Sequence, residues 1–457
     1  MFAIPGLVGL LTFIYLRPQE VFEALAGMNF AGVALAVVVG MVLDWRLAYA
    51  RPRLSLLVVL AGIFFSWALV TTVVKPSGDP GLTLAVTAGS VLSFLFISQS
   101  LQSLHALEAV MKVVLAISLL LALICIHQGL SPTRCILRSG AADIGFGNVV
   151  TDGRLCNVVD DCARDSPDPD AEYFCEHVGL LGTSSIVGRV RYRGIVQDPN
   201  ELAWVLSLAV PIGFTLYERK RTGLRLLLAL GGLAAIMTCV VMTKSRSGQL
   251  SLLTVLGAYF IRKYRWRGAI GGAILALPLL ALGGRSGAEA ESSSVERLEC
   301  WQAGLDMWKG APLSGVGYRN FGEHHYLTAH NSFILTLAEL GPFGLLMWTL
   351  VLYAAIKMLI SAVREFSGRP EAEAAARWGM ALLAGMLGTV VSAFFLSIAY
   401  HGLLWLYLGF VVAYYMAVRR HQPAWKVRFR LRDVVLVGTF DLALIASIAF
   451  YIKMRGV

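Results

Sequence analysis

The sequence predicts an all-α polytopic integral membrane protein, with about 12–13 transmembrane helices and two sizeable loops on the periplasmic side. Three observations predict it. Of 457 residues, 57% are hydrophobic and only 15% are charged. The mean hydropathy is +0.68, whereas a soluble protein needs far more polar surface. The apolar residues also gather in runs long enough to cross a bilayer.

These runs lie at about 1–16, 27–43, 54–74, 81–98, 110–128, 199–217, 224–242, 247–261, 268–282, 331–360, 378–398, 402–418 and 434–452. The first lacks a basic n-region and a clear small-residue cleavage site, so it reads as a retained span. No internal repeat or low-complexity linker divides the chain. It reads as a single membrane domain, 1–457.

Basic residues fix the orientation. Arg219, Lys220, Arg221 and Arg225 fill one short loop, and Arg262, Lys263, Arg265 and Arg267 fill another. Arg419, Arg420, Lys426, Arg428, Arg430 and Arg432 fill a third. Even numbers of spans separate them, so all face the cytoplasm together. Arg46, Arg51 and Arg53 agree, and the N-terminus then lies inside. Much of the formal charge of +10 is therefore topology, and no nucleic-acid partner is implied. The expected location is a bacterial inner membrane. Trp45, Trp67, Tyr400 and Trp405 read as interfacial aromatic anchors.

By the same rule, loops 129–198 and 283–330 face outward. The first holds Cys135, Cys156, Cys162 and Cys175, four of seven cysteines. In an exported loop these read as one or two disulfides, and spacing does not choose among three pairings. A zinc site is the rival, but no Cys-x-x-Cys pair is present. Asp160, Asp161, Asp165, Asp168 and Asp170 share this loop. They lack EF-hand spacing, so a solvated acidic loop is the simpler reading than calcium binding.

His330 sits where the second outer loop meets a long apolar run. An ionisable residue at such a boundary is a functional-site candidate. Arg297, Trp301 and Pro312-Leu313-Ser314-Gly315-Val316-Gly317-Tyr318-Arg319-Asn320-Phe321 lead into His330-Asn331. Glu339-Leu340-Gly341-Pro342-Phe343-Gly344 follows. This block, 297–348, resembles the O-antigen ligase and polymerase superfamily, whose pattern runs Arg, Trp, Pro-x-x-Gly-x-Gly-x-x-x-Phe, then His-Asn before an apolar helix. The resemblance implies a membrane glycosyltransferase that moves glycan off a lipid pyrophosphate.

Two further segments resemble that superfamily. Arg193 precedes Gly194-Ile195-Val196-Gln197-Asp198-Pro199-Asn200-Glu201-Leu202-Ala203, where the superfamily has an arginine and Gly-x-x-x-x-x-Asn-x-x-Ala. Thr243-Lys244-Ser245-Arg246-Ser247-Gly248 matches a Ser-Arg-x-Gly turn whose arginine belongs to the active site. The runs Tyr15-Leu16-Arg17-Pro18-Gln19-Glu20 and Val196-Gln197-Asp198-Pro199-Asn200 resemble members tied to exopolysaccharide or exosortase systems.

The chemistry fits. An outward site has no ATP, and the chain has no Gly-x-x-x-x-Gly-Lys-Ser/Thr loop. A polyprenyl-pyrophosphate-linked glycan is already activated and already in the membrane. Its leaving group is an anion, which asks for arginines, and a hydroxyl acceptor asks for a base. The acceptor is a glycan, a lipid A core or a protein. Arg246 leads for pyrophosphate binding, because cations are disfavoured in an outward turn. Arg193 joins it, with Arg191, Arg189, Lys244 and Arg297 as further contacts. Arg189, Arg191 and Arg193 would share one face of an extended segment; the plain alternative is three solvated or headgroup-binding arginines. Arg297 could equally pair with a loop carboxylate such as Glu299. His330, with an unperturbed pKa near 6.5, is the base, and Asn331 and Asn200 orient substrate. His324 and His325 lack a metal-ligand geometry, so neither metal nor cofactor is assigned. Counted along a helix, His330 and Glu339 fall on roughly opposite faces.

Other classes fit less well. A glycolipid transporter or flippase needs paired broken helices or a repeat. A peptidoglycan polymerase would use an outer carboxylate. A cysteine transpeptidase needs an exposed thiol beside His and Arg.

Overall fold

The computed structural model describes residues 1–137, 151–164, 172–282 and 288–456. Asp165, Asp168 and Asp170 lie outside the described residues. In chain order the helices are α1 (Ala3–Tyr15), α2 (Phe30–Arg46), α3 (Leu56–Val74), α4 (Pro80–Ser100) and α5 (Leu104–Leu130). Then come α6 (Val159–Arg164), α7 (Pro199–Arg219), α8 (Gly223–Met242), α9 (Arg246–Leu282) and α10 (Ala288–Gly310). Last are α11 (Phe321–His324), α12 (Ser332–Phe366), α13 (Glu373–Ala393), α14 (Gly402–His421) and α15 (Leu431–Arg455). Every apolar run read from the sequence is helical. Among the described residues, nine helices are long and apolar enough to cross a membrane, and α1 is a shorter apolar helix. The protein is a polytopic, predominantly helical membrane protein.

The chain forms two compact units, Met1–Leu43 with Glu108–Gly284, and Asp44–Leu107 with Arg285–Val457.

In the first unit, α7 packs against α8 and α9. The α7–α9 seam is made of small residues. A Cβ on Gly248 would lie 2.2 Å from the Ala203 Cβ, and farther along Ser207 and Ser251 join hydroxyls at 2.9 Å. Small side chains let helix backbones approach closely where lipid supplies no hydrophobic drive. Gly40 serves α1 and α2 alike, since its Cβ would lie 2.5 Å from the Phe2 carbonyl oxygen. α9 breaks at Arg265, at φ 51° and ψ −132°. A Cβ on Gly268 would lie 2.2 Å from the Phe260 carbonyl oxygen. The chain therefore turns sharply there, separating the two apolar runs at a basic turn.

This unit also carries a sheet that hydropathy did not predict. Strands β1 (Thr133–Leu137), β2 (Thr151–Leu155) and β3 (Tyr173–His177) pair antiparallel in the order β2-β1-β3. Two disulfides staple it, Cys135–Cys162 and Cys156–Cys175. The first joins β1 to α6, and the second joins the end of β2 to β3. With Tyr173, these sulfurs form a small core of their own.

In the second unit, α12 packs against α3, α10, α13, α14 and α15. Gly409 brings α14 onto α4; a Cβ there would lie 3.0 Å from the Phe94 carbonyl oxygen. Phe64 stacks on Trp405 at 5.4 Å and on Tyr400 at 6.2 Å, and Phe94 meets Trp405 edge-on at 6.0 Å. Tyr400 and Trp405 are buried. They are core residues rather than interfacial anchors, because neighbouring helices cover their rings. The Trp405 indole donates to the Ala399 carbonyl at 3.0 Å. Trp67 donates to the Leu340 carbonyl at 2.9 Å. At the other end of α12, Lys357 and Tyr353 hold Asp433 of α15 at 2.6 and 2.7 Å.

Candidate active site

In the first unit, the arginine segment runs from the sheet to the start of α7. Asp198 caps that helix, accepting from the Asn200 N–H at 2.6 Å, with Pro199 next. This is a strong helix-start combination. The Glu176 carboxylate of β3 accepts the Gly188 N–H at 3.1 Å, along with the Val187 N–H and the Ser185 hydroxyl. The stapled sheet thus anchors the loop that opens on Arg189.

The three arginines do not form a common row. Each guanidinium goes to a different set of oxygens. Arg189 is buried and donates to the Thr243 carbonyl at 2.9 Å and to Asn200 Oδ1 at 2.9 Å. It ties the start of α7 to the end of α8, and Asn200 is its partner. Arg191 donates to the Ser184 carbonyl at 3.1 Å. Arg193, also buried, donates to the Glu20 carbonyl at 3.1 Å and to the Leu181 carbonyl. Burial pushes the Arg191 and Arg193 guanidinium groups below their usual range, while Glu176 and Asp198 oppose this for Arg191. Arginine stays protonated under such pressure, so three cations are stored here.

The Tyr15–Glu20 stretch cradles this segment. Tyr192 donates to the Leu16 carbonyl at 2.8 Å. Arg17, at φ 51°, pairs with Glu20 at 2.6 Å. Gly194 lies at φ +57°, where other residues are strained, and a Cβ there would lie 2.5 Å from Arg17 Nε and displace that side chain.

Arg246 is exposed in the first turn of α9, and exposed Lys244 precedes it at φ 49°. Ser245 Oγ accepts the Gly248 N–H at 3.1 Å and caps the helix. Gly248 seats that turn on Ala203. The Ser-Arg-x-Gly and Asn-x-x-Ala patterns are thus two sides of one helix contact. It leaves Arg246 and Lys244 at the positive end of α9, where cations are electrostatically disfavoured.

In the second unit, α12 is interrupted. Gly341 lies at φ 68° and ψ −173°, followed by Pro342. The break frees the last carbonyls of the first arm, Ser332–Leu340. Val316 N–H donates to Ala338 at 2.8 Å, and Gly317 N–H to Glu339 at 3.0 Å. The Glu339 carboxylate accepts the N–H groups of Arg319 at 2.9 Å and Phe321 at 2.8 Å. Lys75 Nζ donates to the Gly315 carbonyl at 2.6 Å. Glycine is required at 315 (φ +66°) and 341, where a Cβ would lie 2.4 and 2.3 Å from the Ala338 and Leu313 oxygens. The glycine-rich loop is therefore docked on a broken helix. Helix counting from His330 to Glu339 did not foresee this, because His330 lies outside the helix.

His330 sits at φ 48°, a left-handed conformation uncommon outside glycine. It is half-buried and directly precedes the cap of α12. That cap is Asn331, whose Oδ1 accepts from Phe333 at 2.9 Å and Ile334 at 3.1 Å. Its Nδ2 is buried without a hydrogen-bond partner among the described residues. Ser332 accepts from the Ile398 N–H at 2.9 Å and donates to the Leu396 carbonyl at 2.6 Å. Thr328 bonds Ser397 at 2.7 Å. The histidine is held from both sides.

Arg319 is a residue sequence reasoning passed over. It lies at φ 60°, with its guanidinium 5.9 Å from the Tyr318 ring centre and Nε unpartnered among the described residues. Its signal was present, an arginine directly after Gly-x-Gly-Tyr. Arg297 lies half-buried on α10, which meets α12 closely at Gly304, where a Cβ would lie 2.4 Å from Ile334 Cγ2. His325 stacks on Tyr326 at 4.6 Å. The Cys300 thiol is buried and pushed up to about 11 by burial and by Glu299 and Glu296. Among the described residues, one group of close metal-ligand-type side chains exists, Cys135, Cys156 and Cys162. Disulfides occupy all three.

Residues 231–349 match the family described as O-antigen ligase. That stretch of the chain is similar to O-antigen ligases. The ligase-like region holds Arg246, Arg297, Arg319, His330, Asn331 and Glu339; the arginines at 189–193 precede it. An exopolysaccharide production protein, ExoQ, of Rhizobium meliloti (strain 1021) is 26% identical over 227 residues. That stretch covers 41% of this chain and 52%, about half, of that protein. The comparisons support the O-antigen ligase and polymerase resemblance read from residues 297–348.

Proposed function

We propose that the protein transfers a glycan from a polyprenyl-pyrophosphate donor to a hydroxyl acceptor on the outer face of a bacterial inner membrane. The observation that carries this reading is the pinned, left-handed His330 at the cap of an interrupted helix, inside the ligase-like region. A residue strained into this conformation and held by its surroundings is a mark of a functional position. As a base, His330 takes the proton of the acceptor hydroxyl as the new glycosidic bond forms. The buried Asn331 Nδ2 is a donor for a sugar oxygen. Arg246 and Lys244, exposed cations at the start of α9, suit the departing pyrophosphate, since helix N-termini and guanidinium groups both favour phosphate. Arg189, Arg191 and Arg193 add positive field, with Arg189 also shaping the turn. No metal is called for in these roles.

The relative in exopolysaccharide production favours a polymerase-type acceptor, a second lipid-linked repeat, over lipid A core or protein. A transporter would share the interruption at Gly341. Here the freed carbonyls are taken by Val316, Gly317 and Trp67, which supports a fixed site instead. Transfer assayed in proteoliposomes with lipid-linked repeats as donor and acceptor tests the reading. Chain growth that stops in Arg246→Ala and His330→Ala supports it. Movement of the lipid-linked glycan across the bilayer with no new glycosidic bond overturns it.

A further inference from the structure

A cavity of about 410 Å³ lies within the first unit, walled by α5, α7 and α8. Its walls are apolar, with Leu119, Phe214 and Leu233 among them. Small residues make the space, Ala209 and Gly213 one turn apart on α7, and Ala229 and Gly232 on the facing side of α8. A Cβ on Gly213 would meet nothing within 4 Å. The mouth is polar and basic. Glu108 binds Lys112 at 2.9 Å and also Arg219, so one carboxylate serves two cations. Arg225, the third cation of the mouth, is exposed. Along α8, Leu224, Leu227 and Leu228 are exposed, as expected of a helix facing lipid. The mouth lies at the Arg219–Arg225 loop, whose charges place it on the cytoplasmic side. It is the opposite end of the 21-residue α7 from Asn200, about 30 Å away at 1.5 Å per residue.

We propose that this cavity is a binding site for an acidic phospholipid of the cytoplasmic leaflet. An acyl chain would fill the space opened by Gly213 and Gly232, and the phosphate would sit on Arg219 and Arg225. Charge complementarity selects the occupant. An anionic headgroup satisfies the excess of cations at the mouth, and a zwitterionic one does so poorly.

Native mass spectrometry of the full chain in detergent, with equimolar phosphatidylglycerol and phosphatidylcholine, tests this. Phosphatidylglycerol should be retained preferentially. Arg225→Gln should weaken its retention about fivefold, and Arg219→Gln with Arg225→Gln about 25-fold. Lys220→Gln, in the same loop but outside the cavity wall, should retain it nearly as native. Gly213→Leu should block both lipids by filling the space; an unchanged melting temperature shows that it folds. Equal retention of the two lipids, or equal losses in Lys220→Gln and Arg225→Gln, would overturn the proposal. Displacement of phosphatidylglycerol by equimolar undecaprenyl phosphate would also overturn it, assigning the cavity to a polyprenyl lipid.

Discussion

The Glu339 carboxylate accepts the backbone N–H of Arg319 at 2.9 Å. A carboxylate in an apolar helix thus fixes a left-handed residue of the glycine-rich loop twenty positions earlier. It also takes the Phe321 N–H at 2.8 Å, so one side chain sets the path of Tyr318 to Phe321. Leaving a buried donor unsatisfied costs about 1–3 kcal/mol. Glu339→Ala is expected to lose that amount for each N–H, read as a lower melting temperature in detergent, and to lose transfer with it. Glu339→Gln keeps one acceptor oxygen and should fall between. Native stability in Glu339→Ala would remove this role.

His330 carries a conformational load beside its proposed role as base. A left-handed φ costs a non-glycine residue roughly 1–2 kcal/mol. His330→Gly should therefore be more stable than His330→Ala by about 1 kcal/mol. Both variants should lose transfer by about 10²–10⁴-fold, the usual loss for a general base, while still retaining labelled donor. If His330→Gly keeps native rates, histidine is not the base.

The proposed pyrophosphate contact of Arg246 predicts that the shape of the cation matters. Arg246→Ala should abolish transfer in a folded, inserted protein, and Arg246→Lys should restore only part, because lysine lacks the bidentate fork. Gly248→Val forces side-chain atoms against Ala203. It should destabilise the α7–α9 seam by about 1–3 kcal/mol, as overpacking does. Melting curves beside transfer rates separate the two effects. EDTA should leave all the rates unchanged.

For the three-stranded sheet, peptide mapping without reductant should find Cys135 with Cys162 and Cys156 with Cys175. Replacing one pair by alanine is expected to cost about 2–5 kcal/mol. A Cys135–Cys175 peptide would contradict the structure, even though those residues face each other across β1 and β3.

The helices were legible because span-length hydropathy is a strong one-dimensional signal, and every apolar run became a helix. The partners were not. Arg193 is held by carbonyls of Glu20 and Leu181, and Arg189 by Thr243. Those contacts depend on the chain path rather than on local spacing. Alternation predicted a shared face, but burial obliged each guanidinium to find its own oxygens. Asn331 was read from the sequence as a substrate contact; the structure shows it as a cap, a role that was also readable, since asparagine before an apolar helix is a common start. The three-stranded sheet left little trace, because its strands are only five residues each and disulfides supply much of its core.

The interruption at Gly341 separates two events in the life of the chain. From Pro342 to Phe366 the helix alone, at about 1.5 Å per residue, exceeds the roughly 30 Å hydrocarbon core. Insertion machinery therefore has a complete anchor without the arm that follows His330. That arm can be seated afterwards, because the loop and Trp67 satisfy its exposed carbonyls. A variant can thus be threaded in the right direction, pass every labelling assay of topology, and still lack the docked loop beside His330. Screening such variants requires a reporter on the docked loop rather than on the spans.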